Sequence, residues 1–436
     1  MKKSFYIVIC AFFLALSPFV FMEKLANEKC FSVLAYSQNS TFEFVLNFEG
    51  RTYRLAFPPH KQSTNFLINE QAKKYGRDGN HAEAVFALKT LIESGVAPQI
   101  AFDFVFPNFS SRLNDILAKV DQPAKDSKIV FTPNFSQPFF VTKEKQGYIV
   151  NKMLLLKQLY EKFCQSPTVV VDLQRQIATP KITKQENLRK TQQLSRFSTS
   201  IASSSLDRKS NVKLALKAFN GLVVKPNQTI SFNQTTGKRT KEKGYKDAHI
   251  ILDGLFVDGT GGGVCQSSTT LYNALLLADN VEIIEANRHS MPVSYVKLGF
   301  DAMVAYGSSD LKFKNIGENP IYIRTFANTN DEVVVEIYGE KVDDSLTKKR
   351  RTEILKEIKS KGDITKNDTS QEYANLMDEN GFYRQKASKD GIEVQTYLDY
   401  YKNNELIQSK KVRHTTYPPQ QGIVYKGKPK DTSTNT

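Results

Sequence analysis

Cysteine is scarce in this chain, four residues in 436, and histidine hardly less so, with five. So few cysteines exclude a disulfide-stapled scaffold. Cys10, Cys30, Cys164 and Cys265, like His60, His81, His249, His289 and His414, are scattered rather than set at ligand spacing. That argues against a metal site, and no motif asks for a cofactor. Nucleic-acid-binding motifs are missing too. The marked excess is positive charge: 60 Lys+Arg against 45 Asp+Glu, a net +15. Such a surplus favours polyanions, and without a nucleic-acid motif it fits anionic lipid or anionic wall polymers better than nucleic acid. A hydrophobic content of 40% supports cores for two or three domains.

Lys2 and Lys3 precede the apolar run Phe5 to Leu16, which continues past Pro18 to Met22. Residues 1–37 therefore read as a secretion signal or an uncleaved membrane anchor, with Ala35-Tyr36-Ser37 as a late small-residue cleavage candidate. The expected location is the cell surface, either membrane-anchored or secreted into the wall.

The remainder reads as α+β. In residues 41–60 a period-two pattern broken at Glu49-Gly50 predicts a hairpin. A helical pattern runs from Asn69 to Gly95, with His81 as an exposed helix residue. Ile100 to Phe106 alternates; Phe109 to Val120 and Asn151 to Phe163 predict amphipathic helices; Ile129–Phe131, Phe139–Val141 and Thr168–Leu173 predict strands. Cys164 reads as core packing. These elements make an N-terminal α+β module over 41–185. The polar stretch 181–196 reads as a linker or a solvated helix. A central unit over 199–340 opens with the helix Asn211 to Asn220, stopped by Gly221. It continues as a mainly antiparallel sheet, with strands at Val293–Val296, Ala302–Tyr306, Leu311–Asn315, Ile321–Arg324 and Val333–Tyr338. Residues 341–383 read as a charged linker, and 384–426 as a small β-rich module with a hairpin turn at Lys402 to Glu405.

The central unit turns on Gly259 to Ser290. There Gly261-Gly262-Gly263-Val264-Cys265-Gln266 feeds a predicted helix, and Arg288-His289-Ser290 follows a short apolar strand. Helix N-termini carry unpaired N–H groups and partial positive charge, which ease ionisation of a thiol placed there. The same N–H groups, those of Val264 and Cys265, can receive an oxyanion. His289 can fold back as the base, a neutral imidazole near neutral pH. These are the parts for cysteine acyl transfer. A lone cysteine before a helix also suits plain core packing.

The central unit resembles the VanW-like family of exported bacterial proteins. The resemblance covers about 199–340. It is carried by Asn211 to Asn220, Ser231-Phe232-Asn233, Arg239-Thr240, Gly244-Tyr245-Lys246, the glycine–cysteine stretch, Ser268-Thr269, Leu271-Tyr272-Asn273, Arg288-His289-Ser290, Asp301-Ala302 and Tyr306-Gly307 with Asp310. Residues 41–185 look more weakly like the peptidoglycan-binding module that often precedes it. The resemblance implies a cell-wall role, and some members are implicated as cysteine L,D-transpeptidases, although they, like this chain, lack the Ser-His-Gly-Cys pattern of ordinary L,D-transpeptidases. On that reading Cys265 attacks the third residue of a peptidoglycan stem peptide, expels D-alanine, and passes the acyl group to a neighbouring amine. Asp301 or Asp310 would orient His289, or else be a turn residue. Gly263, Val264, Gln266, Ser268, Tyr306, Arg239 and Arg288 would line the substrate or oxyanion positions, the two arginines as holders of a stem carboxylate or as surface ion-pair residues. The alternative is a non-catalytic peptidoglycan-binding or scaffold protein in envelope maintenance or glycopeptide resistance.

Overall fold

Phenylalanine rings fill the centre of the first unit. Phe42, Phe44, Phe57, Phe102, Phe106, Phe109 and Phe163 are all buried, with Phe44 and Phe106 edge to face at 5.1 Å and Phe102 stacked on Phe109 at 4.7 Å. Rings in such arrangements gain beyond the area they bury. The computed structural model describes residues 41–58, 81–252 and 255–428. The expected signal or anchor over 1–37, and the helical pattern from Asn69 up to His81, lie outside these. Among the described residues no helix is long and apolar enough to cross a membrane.

The first unit comprises residues up to Ser127 and Glu144–Ile182. Phe42–Phe48 pairs antiparallel with Arg51–Phe57 through the expected hairpin and parallel with Thr168–Asp172. The helices His81–Glu93, Phe109–Val120 and Lys152–Phe163 bury their apolar faces in the phenylalanine core. Cys164 is buried there, as expected. Two expectations change. Ile100 to Phe106 is not an extended alternation: Pro98–Val105 is a helix, with Pro98 in its first turn and Ala101, Phe102, Phe104 and Val105 buried. A short segment buried on most sides gives no clean period. His81 is buried, not exposed, its ring against Phe163 and bonded to the Phe163 carbonyl at 2.5 Å.

The second unit takes the hairpin Lys128–Lys143 as well as Thr183–Thr436. That hairpin carries Phe139 onto Tyr322 and Tyr338 at ring distances of 5.1 Å. The unit's central sheet orders Gln192–Ser200, Glu332–Gly339, Ile321–Ala327 and Leu222–Val224, all antiparallel. A second sheet joins Thr229–Ser231, Lys312–Asn315 and Val281–Glu285. The helices Leu206–Lys217 and Val264–Leu277 pack together in the core. Val293–Val296 and Ala302–Tyr306 are not strands; the chain there runs as loops with isolated bridges Asn287 to Met303 and Ala305 to Ser309. The polar stretch 181–196 holds the short helix Lys184–Arg189, started by a Thr183–Glu186 capping box, and then enters the central sheet.

The expected linker 341–383 is also revised. Leu346–Ile358 is a 13-residue strand paired to Gly391–Lys402, which returns through the turn at Lys402 to pair with Glu405–Tyr417. Its cations are spent on faces: Arg351 over Tyr397 at 4.1 Å, Lys349 over Tyr401 at 4.6 Å, and Arg350 over Phe197 at 4.2 Å. Cation–π packing lets a run of charge sit in a sheet. Arg350 also bonds Asn273 of the Cys265 helix, and Thr352 Oγ1 donates to Leu298 O at 2.8 Å. The trailing β region is thereby part of the same unit as the cysteine.

Candidate active site

Val264–Leu277 is buried along most of its length, polar residues included. Each inward hydroxyl or amide finds a carbonyl: Ser267 on Val212 at 3.0 Å, Ser268 on Ala302 at 2.5 Å, and Asn273 on Phe300 at 2.8 Å. Burial without such partners would cost on the order of 1–3 kcal/mol each. The helix starts at Gly263, whose φ of 102° suits glycine and whose added Cβ would lie 2.9 Å from Arg208 Cγ and Val212 Cγ2. Gly262 passes so near Ala248 that a Cβ would lie 2.5 Å from its carbonyl oxygen. Asn211, fully buried, clips this turn: its amide donates to Lys246 O at 2.8 Å and Gly262 O at 3.0 Å and accepts from Lys246 N at 2.8 Å.

This turn sets Cys265 in the first helical turn, partly exposed, its sulfur 3.4 Å from Val304 O and hydrogen-bonded to His289. His289 is held from the other side. Asp301 Oδ2 accepts from His289 Nδ1 at 2.7 Å and from His289 N at 2.6 Å, leaving Nε2 for the sulfur. Asp301 Oδ1 accepts from the Tyr417 hydroxyl at 2.5 Å and from Arg413 at 3.2 Å. Cys265, His289 and Asp301 thus form a continuous chain of the kind that serves acyl transfer.

The charges follow from that geometry. Burial opposes ionisation of the Cys265 thiol, but the hydrogen bond and charge of His289, the Val304 contact and the Arg239 guanidinium outweigh it, and the thiol lies below its ordinary value. Burial likewise opposes the imidazolium, yet Asp301 and Cys265 raise His289 to about 9. The imidazole is thereby favoured in its charged form and ionisation of the thiol beside it is eased, where the sequence alone suggested a neutral imidazole as base. Asp301 stays ionised: burial pushes its carboxyl up, but bonds from His289 and Tyr417 and the charge of Arg413 hold it below the usual range.

The other expected residues divide. Among the described residues, Val264 N–H is taken by Gly261 O at 3.2 Å and Gln266 N–H by Gly263 O at 2.9 Å, while no turn carbonyl accepts from Cys265 N–H. Of the two oxyanion donors expected, the Cys265 N–H remains. Gln266 and Ser268 point into structural bonds, Gln266 to Thr199 Oγ1 at 3.0 Å and Ser268 to the Cys265 and Ala302 carbonyls. Asp310 does not meet His289; it accepts from Ser231 Oγ at 2.5 Å and Asn233 N at 2.9 Å. Arg288 is exposed and caps its neighbour, donating to His289 O at 2.9 Å. Arg239 lies by the thiol, with Nη2 on Asn233 Oδ1 at 2.7 Å and a buried Nη1 that has no hydrogen-bond partner among the described residues. Tyr306 is exposed, with Lys238 5.9 Å from its ring centroid. Sequence reasoning missed Tyr295, bonded to Thr269 with its hydroxyl pushed up by burial and by Cys265, and it missed Arg413 and Tyr417. No local signal links those last two to Asp301, since they lie 112 and 116 positions away. Among the described residues no three His, Cys, Asp or Glu side chains gather as metal ligands.

A family model described as "VanW like protein" matches residues 207–338. The chain is 35% identical over 204 residues to "Uncharacterized protein YoaR" of Bacillus subtilis (strain 168), covering 47% of this chain and 67% of that one. It is 31% identical over 144 residues to "Vancomycin B-type resistance protein VanW" of Enterococcus faecalis (strain ATCC 700802 / V583), covering 32% of this chain and about half, 51%, of that protein. Two solved structures overlap a smaller part. "IgA1 Protease G5 domain structure" covers 20% of this chain and 92% of its own, at 21% identity and a TM-score of 0.14. "Crystal structure of HP0197-G5" covers 19% and 97%, at 21% identity and a TM-score of 0.11.

Proposed function

The chain belongs to the VanW-like family, and from that premise we propose that it is an exported cell-wall enzyme, a cysteine L,D-transpeptidase acting on peptidoglycan stem peptides. The observation that carries the reading is the hydrogen-bonded run Cys265–His289–Asp301 at a helix start. A packing cysteine needs neither an imidazole nor an ionised carboxylate behind it. The relative with a vancomycin B-type resistance name supports a wall setting.

The chemistry follows from the charges. The Cys265 thiolate attacks the carbonyl carbon of the third stem residue, and the developing oxygen turns to the Cys265 N–H. The His289 imidazolium gives its proton to the departing D-alanine amine as the C–N bond breaks, leaving a thioester and a neutral imidazole. An acceptor amine from a second stem then attacks, its proton goes to His289, and the C–S bond breaks. A crosslink between two third residues results, and the resting ion pair returns. Arg239, with one nitrogen unspent beside the thiol, is the residue to hold the stem carboxylate.

The test uses the protein expressed without residues 1–37, mixed with a disaccharide-tetrapeptide and followed by mass spectrometry. Loss of D-alanine with dimer formation is expected from wild type and from nothing carrying Cys265→Ala. Loss of D-alanine without dimers would make the enzyme a hydrolase; identical spectra for both proteins would leave no enzyme.

A further inference from the structure

The carboxylate behind His289 is itself gripped from the trailing β region. On the strand Glu405–Tyr417, Arg413 Nη2 donates to Gly299 O and Asp301 O, both at 2.7 Å, and to Asp301 Oδ1 at 3.2 Å. Its Nη1 reaches Ala286 O at 3.4 Å, at the end of the strand that leads to His289. Tyr417, fully buried, accepts from Gly299 N at 3.1 Å and donates to Asp301 Oδ1 at 2.5 Å. The loop also packs tightly on the paired strand Gly391–Lys402: a Cβ on Gly299 would lie 2.5 Å from Thr396 Cγ2. One guanidinium and one hydroxyl therefore fix both the loop 299–301 and the carboxylate that it carries.

We propose that the active site is completed by the trailing β region, with Tyr417 and Arg413 as positioning residues that aim Asp301 at His289 Nδ1 and so keep Cys265 armed. Asp301 has two oxygens and several donors to choose between. With Oδ1 occupied by Tyr417 and Arg413, Oδ2 is the oxygen left for the imidazole, and the ring is held in one orientation. Without them, a carboxylate on a loop would turn, and His289 would lose its partner. Burial would then return the imidazole to its neutral form, and the thiol to its protonated one. His289, Arg413 and Tyr417 act on Asp301, and His289, Arg239, Arg208 and Tyr295 on Cys265.

The inference rests on the acyl-transfer reading for its purpose but is tested without substrate. The full chain carrying Tyr417→Phe keeps the buried ring and loses only the hydroxyl. The rate of Cys265 alkylation by iodoacetamide is read against pH, with the melting temperature alongside. The expected result is a midpoint moved upward and a rate at pH 7 lowered roughly tenfold, the worth of one hydrogen bond to a charged group. Tyr401→Phe, on the same hairpin, should titrate as wild type. Arg413→Lys, which keeps the charge but not the fork, should move the midpoint the same way. A purely structural role would lower the melting temperature and leave the midpoint in place, and a Tyr417→Phe protein that titrates as wild type would overturn the proposal, whatever Arg413→Lys does. If the midpoint moves but the wild type transforms no muropeptide, the positioning stands and the transpeptidase reading falls; if wild type crosslinks and the midpoint stays, the reverse holds.

Discussion

Replacing His289 by alanine takes away the cation hydrogen-bonded to the Cys265 sulfur, and the size of the loss follows from the structure. His289 is raised from 6.5 to about 9 against the pull of burial. At about 1.4 kcal/mol per pH unit, that is roughly 3 kcal/mol of preference for imidazolium, shared between Asp301 and the sulfur. In His289→Ala the thiol keeps its burial and loses this partner. Its midpoint should rise to or above that of a free cysteine, about 8.5, where only ~3% is ionised at pH 7. The wild-type thiol lies below its ordinary value. Alkylation at pH 7 should therefore slow, by up to about thirtyfold if the wild-type thiol is fully ionised. Mass spectrometry of the peptide holding Cys265, after timed exposure to iodoacetamide from pH 5 to 9.5, reads it directly; buried Cys164 serves as an internal control. The sign is definite. Ionisation of the thiol is favoured by a neighbouring positive charge, so losing that charge moves the midpoint up. A variant with an unmoved midpoint would refute the ion-pair account.

Activity of the wild type should trace a bell against pH. It rises as the thiol ionises, below the ordinary cysteine range, and falls as His289 loses its proton near 9. Asp301→Asn should keep the fold and cut kcat by on the order of a thousandfold or more, as loss of the orienting carboxylate does in comparable triads; crosslinking kinetics measure it. Gly263→Ala forces a Cβ to 2.9 Å from two side chains at a φ of 102°, and should lower the melting temperature by roughly 1–3 kcal/mol worth of stability, seen by calorimetry. Asn211→Ala leaves Lys246 N and two carbonyls without their partner and should cost about 3 kcal/mol in chemical denaturation.

Much of this could be read from the residues alone because the signals were local. A glycine run before an apolar helical pattern announces a turn and a helix start, so Cys265 fell where expected. A basic-and-polar turn after a short strand marks His289, and the fold joins the two. Asp301 and Asp310 were indistinguishable in sequence, since both sit in loops and are buried. Only the fold separates them, giving Asp310 to Ser231 and Asn233. Gln266, next along the helix, is turned off the Cys265 face into the core, whereas Ser268, one turn on, shares that face but spends its hydroxyl on the Cys265 and Ala302 carbonyls. The charged stretch from Lys341 hid a strand for a different reason: its cations lie on aromatic faces, which no pattern of polar and apolar residues reveals. His81 was misjudged because one ring edge against Phe163 buries it at a helix start.

The place of Tyr417 along the chain also sets an order of events. It is translated 116 positions after Asp301. Any chain interrupted between the two carries its cysteine, histidine and aspartate, yet holds a sulfur that resembles an ordinary free thiol. On the acyl-transfer reading, the thiol would thus gain its nucleophilicity late, only after the hairpin has docked. Released chains truncated before residue 417 should be labelled by iodoacetamide at Cys265 more slowly at neutral pH than the full chain.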